Sequence, residues 1–180
     1  ARTYVQQREA SIKSNPDASA YDYTKLAELV IADIGDAAWG AQLLNEAKAK
    51  ASDHYALAHI ASLMAKGGDA AGAEALLMQA AQACGSADGC IQLTSRMRNA
   101  GFDATLVRKA YEACGSTLSA PVEKLHWVEG IVDELKDKAW ASEAYAAIES
   151  QFSGEARARF DTSRMNRVGD EFYPYRKHAA

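Results

Sequence analysis

The stretch IGDAAWGAQLL at residues 34–44 returns as GGDAAGAEALL at 67–77, as AGFDATLVRKA from Ala100, and as LKDKAWASEAY at 135–145. Its glycines recur in steps of 33 (68 − 35 and 101 − 68), and a step of 35 (136 − 101) reaches Lys136. A period in the mid-thirties is the length of one helical hairpin. Such a unit cannot bury its apolar face alone, so it stacks on its neighbours. Four units follow, near 21–52, 53–86, 87–116 and 117–150.

The repeated stretch predicts its own local structure. A first helix ends at Gly35, Gly68 or Gly101, where a left-handed residue closes the helix without a Cβ penalty. Asp36, Asp69, Asp103 and Asp137 then cap the following helix and complement its positive end. Gly40, Ala73 and Ala141 are small where two helices must approach. Leu43 and Leu44, Leu76 and Leu77, and Ala144 and Tyr145 come next, then Ala47, Ala80 and Ile148, with the spacing of a buried helical stripe. First helices carry matching stripes in Leu26, Val30 and Ile31, in Leu57, Ile60, Leu63 and Met64, and in Leu125, Val128, Ile131 and Val132.

Two irregularities stand out. The motif ACGS at 83–86 recurs at 113–116, only 30 residues on (113 − 83), which predicts either a second helix of the third unit about one turn short or a different register there. Lys136 replaces the glycine in the fourth unit, which predicts a different turn there. Flanking the units, residues 1–20 read as a leading helix and linker. Residues 151–168 read as one more helix, and the segment after it as an extended tail, since Pro174 disfavours helix before it. Strand and hairpin signals are absent, so the expected fold is all-α: an α-solenoid of about four antiparallel helical hairpins with flanking helices.

The net charge of −4 and pI near 5.6 give the chain no electrostatic footprint for nucleic acid. Residues 151–180 hold six Lys and Arg against four Asp and Glu, so a mildly basic end follows an acidic body. No apolar run approaches a membrane span, and no signal-peptide segment opens the chain. The start at Ala1 fits removal of an initiator Met and equally a cleaved leader. Three cysteines, Cys84, Cys90 and Cys114, are an odd number without a disulfide-scaffold pattern. These features predict a reducing, cytoplasmic location. Cys84 and Cys90 flank a turn and could pair, but the favoured reading makes the cysteines buried small hydrophobes.

The helix-ending glycine and Asp of IGDAAW and GGDAAG resemble the tetratricopeptide (TPR) and Sel1-like repeat superfamily. So do the small residue at Gly40, Ala73 or Ala141, then Leu44, Leu77 or Tyr145, then Ala47 or Ala80. The resemblance covers residues 21–150 and concerns architecture. The position where the family places glycine or alanine inside its first helix holds Glu28, Ala61, Thr94 and Glu129 here, and the inter-repeat proline is missing. What the resemblance implies is a protein or peptide bound in a groove of first helices. Groove-facing positions by pattern include Lys25, Tyr55, Arg98, His126 and Asp133. The family's carboxylate clamp finds only Lys25, Arg98 and Asn99 chemically suitable.

No catalytic motif is present: no nucleophile elbow, no P-loop and no Gly-x-Gly-x-x-Gly. His54 and His59, five apart, fall on different helix faces, so no metal or other cofactor is expected. Trp39 and Trp140 hold equivalent places near the starts of second helices and are expected to pack against adjoining units. In the tail, Phe172, Tyr173, Tyr175 and Arg176 have the side chains that anchor interfaces. The expected function is a non-enzymatic interaction module: an adaptor, scaffold or accessory subunit that binds another protein or peptide, with no nucleic acid and no membrane insertion. The competing expectations are a small-ligand carrier that uses the groove with Trp39 or Trp140, and an enzyme whose residues come together from several helices.

Overall fold

A computed structural model describes residues 2–169. These fold as ten α-helices with no strand among the described residues. In chain order they are α1 (Arg2–Ser14), α2 (Ala20–Leu29, extended by a π-helical turn, Val30–Ile34), α3 (Ala37–Lys50), α4 (His54–Lys66), α5 (Ala70–Gln82), α6 (Ala87–Asn99), α7 (Ala104–Gly115), α8 (Pro121–Asp133), α9 (Lys138–Ile148) and α10 (Gly154–Val168). Helices α2/α3, α4/α5, α6/α7 and α8/α9 pair as hairpins. First helices pack on one another in sequence, α2 on α4, α4 on α6, and α6 on α8, a packing consistent with the expected solenoid.

Every turn within a hairpin is built by the same two devices. A left-handed residue ends the first helix: Gly35 (φ +71°), Gly68 (φ +94°), Gly101 (φ +82°) and Lys136 (φ +59°). An Asp carboxylate then accepts from the next helix: Asp36 from Trp39 N–H at 3.0 Å, Asp69 from Gly72 N–H at 2.9 Å, and Asp137 from Trp140 N–H at 2.9 Å. Asp103 accepts from both Thr105 and Leu106 N–H groups, at 2.9 and 3.0 Å. Lys136 therefore does not change the turn, contrary to the expectation. Asp36 (φ −99°, ψ 84°) and Asp137 (φ −100°, ψ 85°) have nearly identical backbones, and each N–H bonds back six residues, to the Val30 and Ile131 carbonyls. The lysine adopts the left-handed conformation that glycine would take at no cost. The turn that differs is the third, where Phe102 is inserted between Gly101 and its Asp.

The third unit is not short. First helices begin at Ala20, His54, Ala87, Pro121 and Gly154, in steps of 34, 33, 34 and 33 (54 − 20, 87 − 54, 121 − 87, 154 − 121). The ACGS echo misleads because its two copies occupy different places. Cys84 lies beyond the end of α5, whereas Cys114 lies inside α7. The same register makes α10 the first helix of a fifth, half unit. It packs on α8 and α9 and ends at another left-handed glycine, Gly169 (φ +77°). Its outer residues Glu155, Arg159, Thr162 and Asn166 are exposed. The outer face of α1 is also polar, so both ends of the described stack expose polar side chains.

The apolar stripes form one core. Leu26, Leu43, Ile60, Leu63, Leu76, Leu77, Leu93 and Leu125 are almost wholly buried, while Ile31, Met64 and Val132 stay partly exposed at its edge. A Cβ on Gly40 would lie 2.5 Å from the Ile31 Cγ1, so the close approach expected of that position is real. Trp140 meets Trp127 of α8 and Tyr111 of α7 edge-on, with centroids 5.8 and 6.0 Å away. Trp39 reaches α1, its Nε1–H donating to Glu9 at 2.8 Å.

Cys90 of α6 and Cys114 of α7 form a disulfide across the third hairpin, with both residues fully buried. The cysteines are buried as expected, but the favoured expectation of unpaired cysteines is corrected, and the alternative pairing of Cys84 with Cys90 is not the one formed. Pairing is set by which faces of α6 and α7 meet, not by nearness along the chain. Cys84 is the free thiol, buried, and desolvation pushes its pKa up to about 12.

Two outcomes are expected. Lys136→Gly removes about 1–2 kcal/mol of left-handed strain and adds about 0.4–1 kcal/mol of unfolded-chain entropy. Denaturant unfolding should therefore show a net gain of about 0.5–1 kcal/mol. For the disulfide, alkylation of the unfolded, unreduced chain should label one thiol, and all three after reduction. Closing a loop of 24 residues contributes about 3 kcal/mol. Reduction should lower the unfolding free energy by about that amount.

Candidate functional site

The first-helix face carries a groove. One cavity of about 230 Å³ lies between α1 and α2, with Tyr4, Arg8, Tyr21, Lys25 and Leu29 in its wall. A second, of about 400 Å³, shares Tyr21 and Lys25 and extends to Tyr55, His59 and Arg96. A third, of about 330 Å³, shares His59 and Arg96 and extends to Ser62, Lys66 and Asn99. The three join into one surface that runs over α1, α2, α4 and α6. Tyr4 and Tyr21 are each 63% exposed, so both rings present apolar surface to solvent along the groove.

The groove wall holds Arg8, Lys25, Lys66 and Arg96 against Asp22 and Asp53, a cationic excess within an acidic chain. Arg8, Lys66 and Arg96 make no ion pair among the described residues, and Lys25 pairs with Glu28 at 3.1 Å. The Arg96 guanidinium lies 5.1 Å from the centre of the Tyr55 ring, and the Tyr55 hydroxyl donates to Gln92. Lys25 sits 5.6 Å from the Tyr21 ring. Desolvation holds the pKa of His59 below its ordinary value; Glu28 opposes this, and Lys25, Arg96 and Lys66 add to it. The ring is thus neutral near pH 7, and the cationic character comes from lysine and arginine.

The residues singled out from sequence separate into groups. Lys25 and Tyr55 lie in the groove wall. Arg98 instead turns toward α8 and donates to the Glu134 carbonyl and carboxylate at 2.5 and 2.7 Å. His126 bridges Asp88 of α6 at 3.0 Å and Glu129 at 3.5 Å. Asp133 accepts from Arg167 of α10 at 3.0 and 3.1 Å. Around it, Ser163 donates to Glu129 at 2.6 Å and lies 2.7 Å from the Tyr145 hydroxyl. The first-helix face of the fourth hairpin is therefore engaged by α10, and the open groove belongs to the first three hairpins. Phe172, Tyr173, Tyr175 and Arg176 lie outside the described residues.

Tyr21, His59, Lys66 and Arg96 were missed in the sequence. The register carries a signal for His59: it stands one repeat after Lys25 (59 − 25 = 34), the same step that separates the starts of α2 and α4. Among the described residues, no group of three His, Cys, Asp or Glu could hold a metal ion, and no helix is long and apolar enough to cross a membrane.

A further cavity of about 600 Å³ opens on the turn side of hairpins three and four. Phe102, Leu135 and Trp140 line it together with Arg98, Arg108 and Lys136. Arg108 stacks 4.4 Å from the Trp140 ring centre and pairs with Asp137 at 2.9 Å.

Fold and surfaces together define an all-α stack of helical hairpins with a cationic, tyrosine-lined groove. The chain matches no family model, no curated protein and no solved structure.

Desolvation opposes charge on His126, but its hydrogen bonds to Asp88 and Glu129, with their charges, together raise its pKa above the ordinary value. A raised folded pKa makes the α6–α8 tie strongest below the unfolded value, near 6.5, and weakens it as pH rises through the folded one. The stability advantage of the parent chain over His126→Gln should therefore shrink between roughly pH 6 and 8, as read by urea midpoints at each pH.

Proposed function

We propose that this chain is a non-enzymatic interaction module that binds a segment of another protein in the groove over α1, α2, α4 and α6. The observation that carries this reading is the continuity of the three cavities, which share residues and hold exposed tyrosines beside Arg8, Lys66 and Arg96, cations without an ion pair among the described residues. Tyrosine and arginine are the side chains that dominate binding energy at interfaces, since they give large contact area with a polar end. Positive charge in the groove of a chain with net charge −4 favours a segment with acidic side chains among apolar ones. The TPR-like and Sel1-like features of the turns agree with this use of the first-helix face. Phe172, Tyr173, Tyr175 and Arg176 supply a second contact.

The Cys90–Cys114 bond bears on the compartment. Buried structural disulfides persist where the surroundings are oxidising, and cytosolic thiols are kept reduced. It supports an oxidising compartment over the cytoplasm expected from the cysteine count.

The test uses the full chain as bait against proteins of its source cell. It is run beside Lys66→Glu/Arg96→Glu and beside a chain ending at Gly169. Removing two cations and adding two acids in the groove should weaken capture of a specific polypeptide at least roughly tenfold, the scale of one buried charged contact. The truncated chain should capture it more weakly with helicity unchanged. Undiminished capture by the double variant overturns the groove assignment.

A further inference from the structure

The repeat contains two departures that its architecture does not need. Three of its four turns use glycine for the left-handed residue, but the fourth uses Lys136 at φ +59°. Three turns place the capping Asp directly after that residue, but the third inserts Phe102. A stack that only had to fold would need neither. Both residues lie in the wall of the 600 Å³ cavity on the turn side of hairpins three and four. Backbone strain that persists in a folded chain concentrates at sites that use it.

We propose that this cavity is a binding site for a small apolar or aromatic molecule carrying a single anionic group. Phe102, Val107, Leu135 and Trp140 form an apolar wall, and the volume is that of small-molecule sites. Its charged groups leave one cation over. Arg98 is held by Glu134 at 2.7 Å, and Arg108 by Asp137 at 2.9 Å. Lys136 makes no ion pair among the described residues; its Nζ donates only to the Asp133 carbonyl, at 2.5 Å. A ligand anion placed beside Lys136 meets a positive charge that no carboxylate among the described residues pairs with, while its apolar body covers Phe102 and Trp140. The walls are fixed in place. Tyr111 and Trp127 exchange hydrogen bonds with each other's carbonyls at 2.8 and 3.0 Å, and both rings abut Trp140. The inserted Phe102 also borders the third groove cavity, so the site adjoins the groove but has its own cation and its own aromatic wall.

The experiment titrates the full chain with 8-anilino-1-naphthalenesulfonate and with the uncharged N-phenyl-1-naphthylamine, following probe fluorescence and energy transfer from tryptophan. Saturable binding of one sulfonate probe per chain is expected, with the neutral probe roughly fivefold weaker or more, the scale of one partly exposed charge contact. Lys136→Gly should weaken the sulfonate probe by a similar factor while its unfolding midpoint rises, so lost binding cannot be lost folding. Lys66→Glu/Arg96→Glu, which alters only the groove, should bind as the parent does. Equal affinity for the two probes, undiminished binding by Lys136→Gly, loss of binding in the groove variant, or no saturable binding would each overturn the assignment.

Discussion

Everything else in this chain depends on how one helix stops and the next begins within about three residues. Closing an α-helix so abruptly leaves its last carbonyls unpaired and its successor's first N–H groups exposed. A left-handed residue answers the first problem by letting the chain fold back onto those carbonyls, and an aspartate answers the second. Because both devices are local, the turn sets the crossing of two helices before any long-range contact is made. Gly40, Ala73 and Ala141 then fall where the helices touch, and the leucine stripes that follow them face the same core. Asp36 and Asp137 lie a hundred residues apart in unlike sequences yet share one backbone geometry. It is the turn's requirements, and not the identity of its first residue, that are repeated.

Stacking creates a second constraint at the ends, where a hairpin has no further neighbour. Here α10 supplies the fifth first helix without a described second one. It holds on through polar contacts, Arg167 to Asp133 and Ser163 to Glu129, with Phe160 buried against Tyr145 and Phe152. That attachment has a consequence for binding. It occupies the carboxylates of α8 that would otherwise line a fourth stretch of groove, so the open surface is confined to the three hairpins nearer the N-terminus.

What the sequence disclosed and what it hid divide along the same line. Caps, helix stops and apolar stripes are properties of a residue and its neighbours within a turn or two, and they were legible. The Cys90–Cys114 pairing, the fate of Arg98 and the groove role of Arg96 depend on which face of α6 meets which neighbour. Arg96 and Arg98 are two residues apart, so they leave the helix on nearly opposite sides, one into the groove and one toward Glu134. The ACGS echo shows the reverse hazard: two identical tetrapeptides, one beyond a helix end and one inside a helix, imply a shortening that the helix starts do not show. The fifth half unit, in turn, was hidden because its register is carried by Gly169 and by helix starts, not by a repeated phrase.

The third and fourth hairpins are fastened more heavily than burial alone requires. A disulfide joins α6 to α7, Tyr111 and Trp127 lock α7 to α8, and Gly115 leaves room for the Trp127 ring, which a Cβ would meet at 2.2 Å. The inserted Phe102 and the left-handed Lys136 lie at the turn end of the same hairpins, joined to this block through Trp140, whose ring Tyr111 and Trp127 abut. Strain in one turn can persist only where surrounding contacts over-determine the backbone, and this block supplies them. The groove over the first three hairpins is made differently, from long side chains on helices that keep the repeat's register. The chain thus pairs a surface of long side chains, suited to an extended segment, with a cavity whose two turns keep the stop-and-cap devices of the stack and depart from the repeat only in the residues they use.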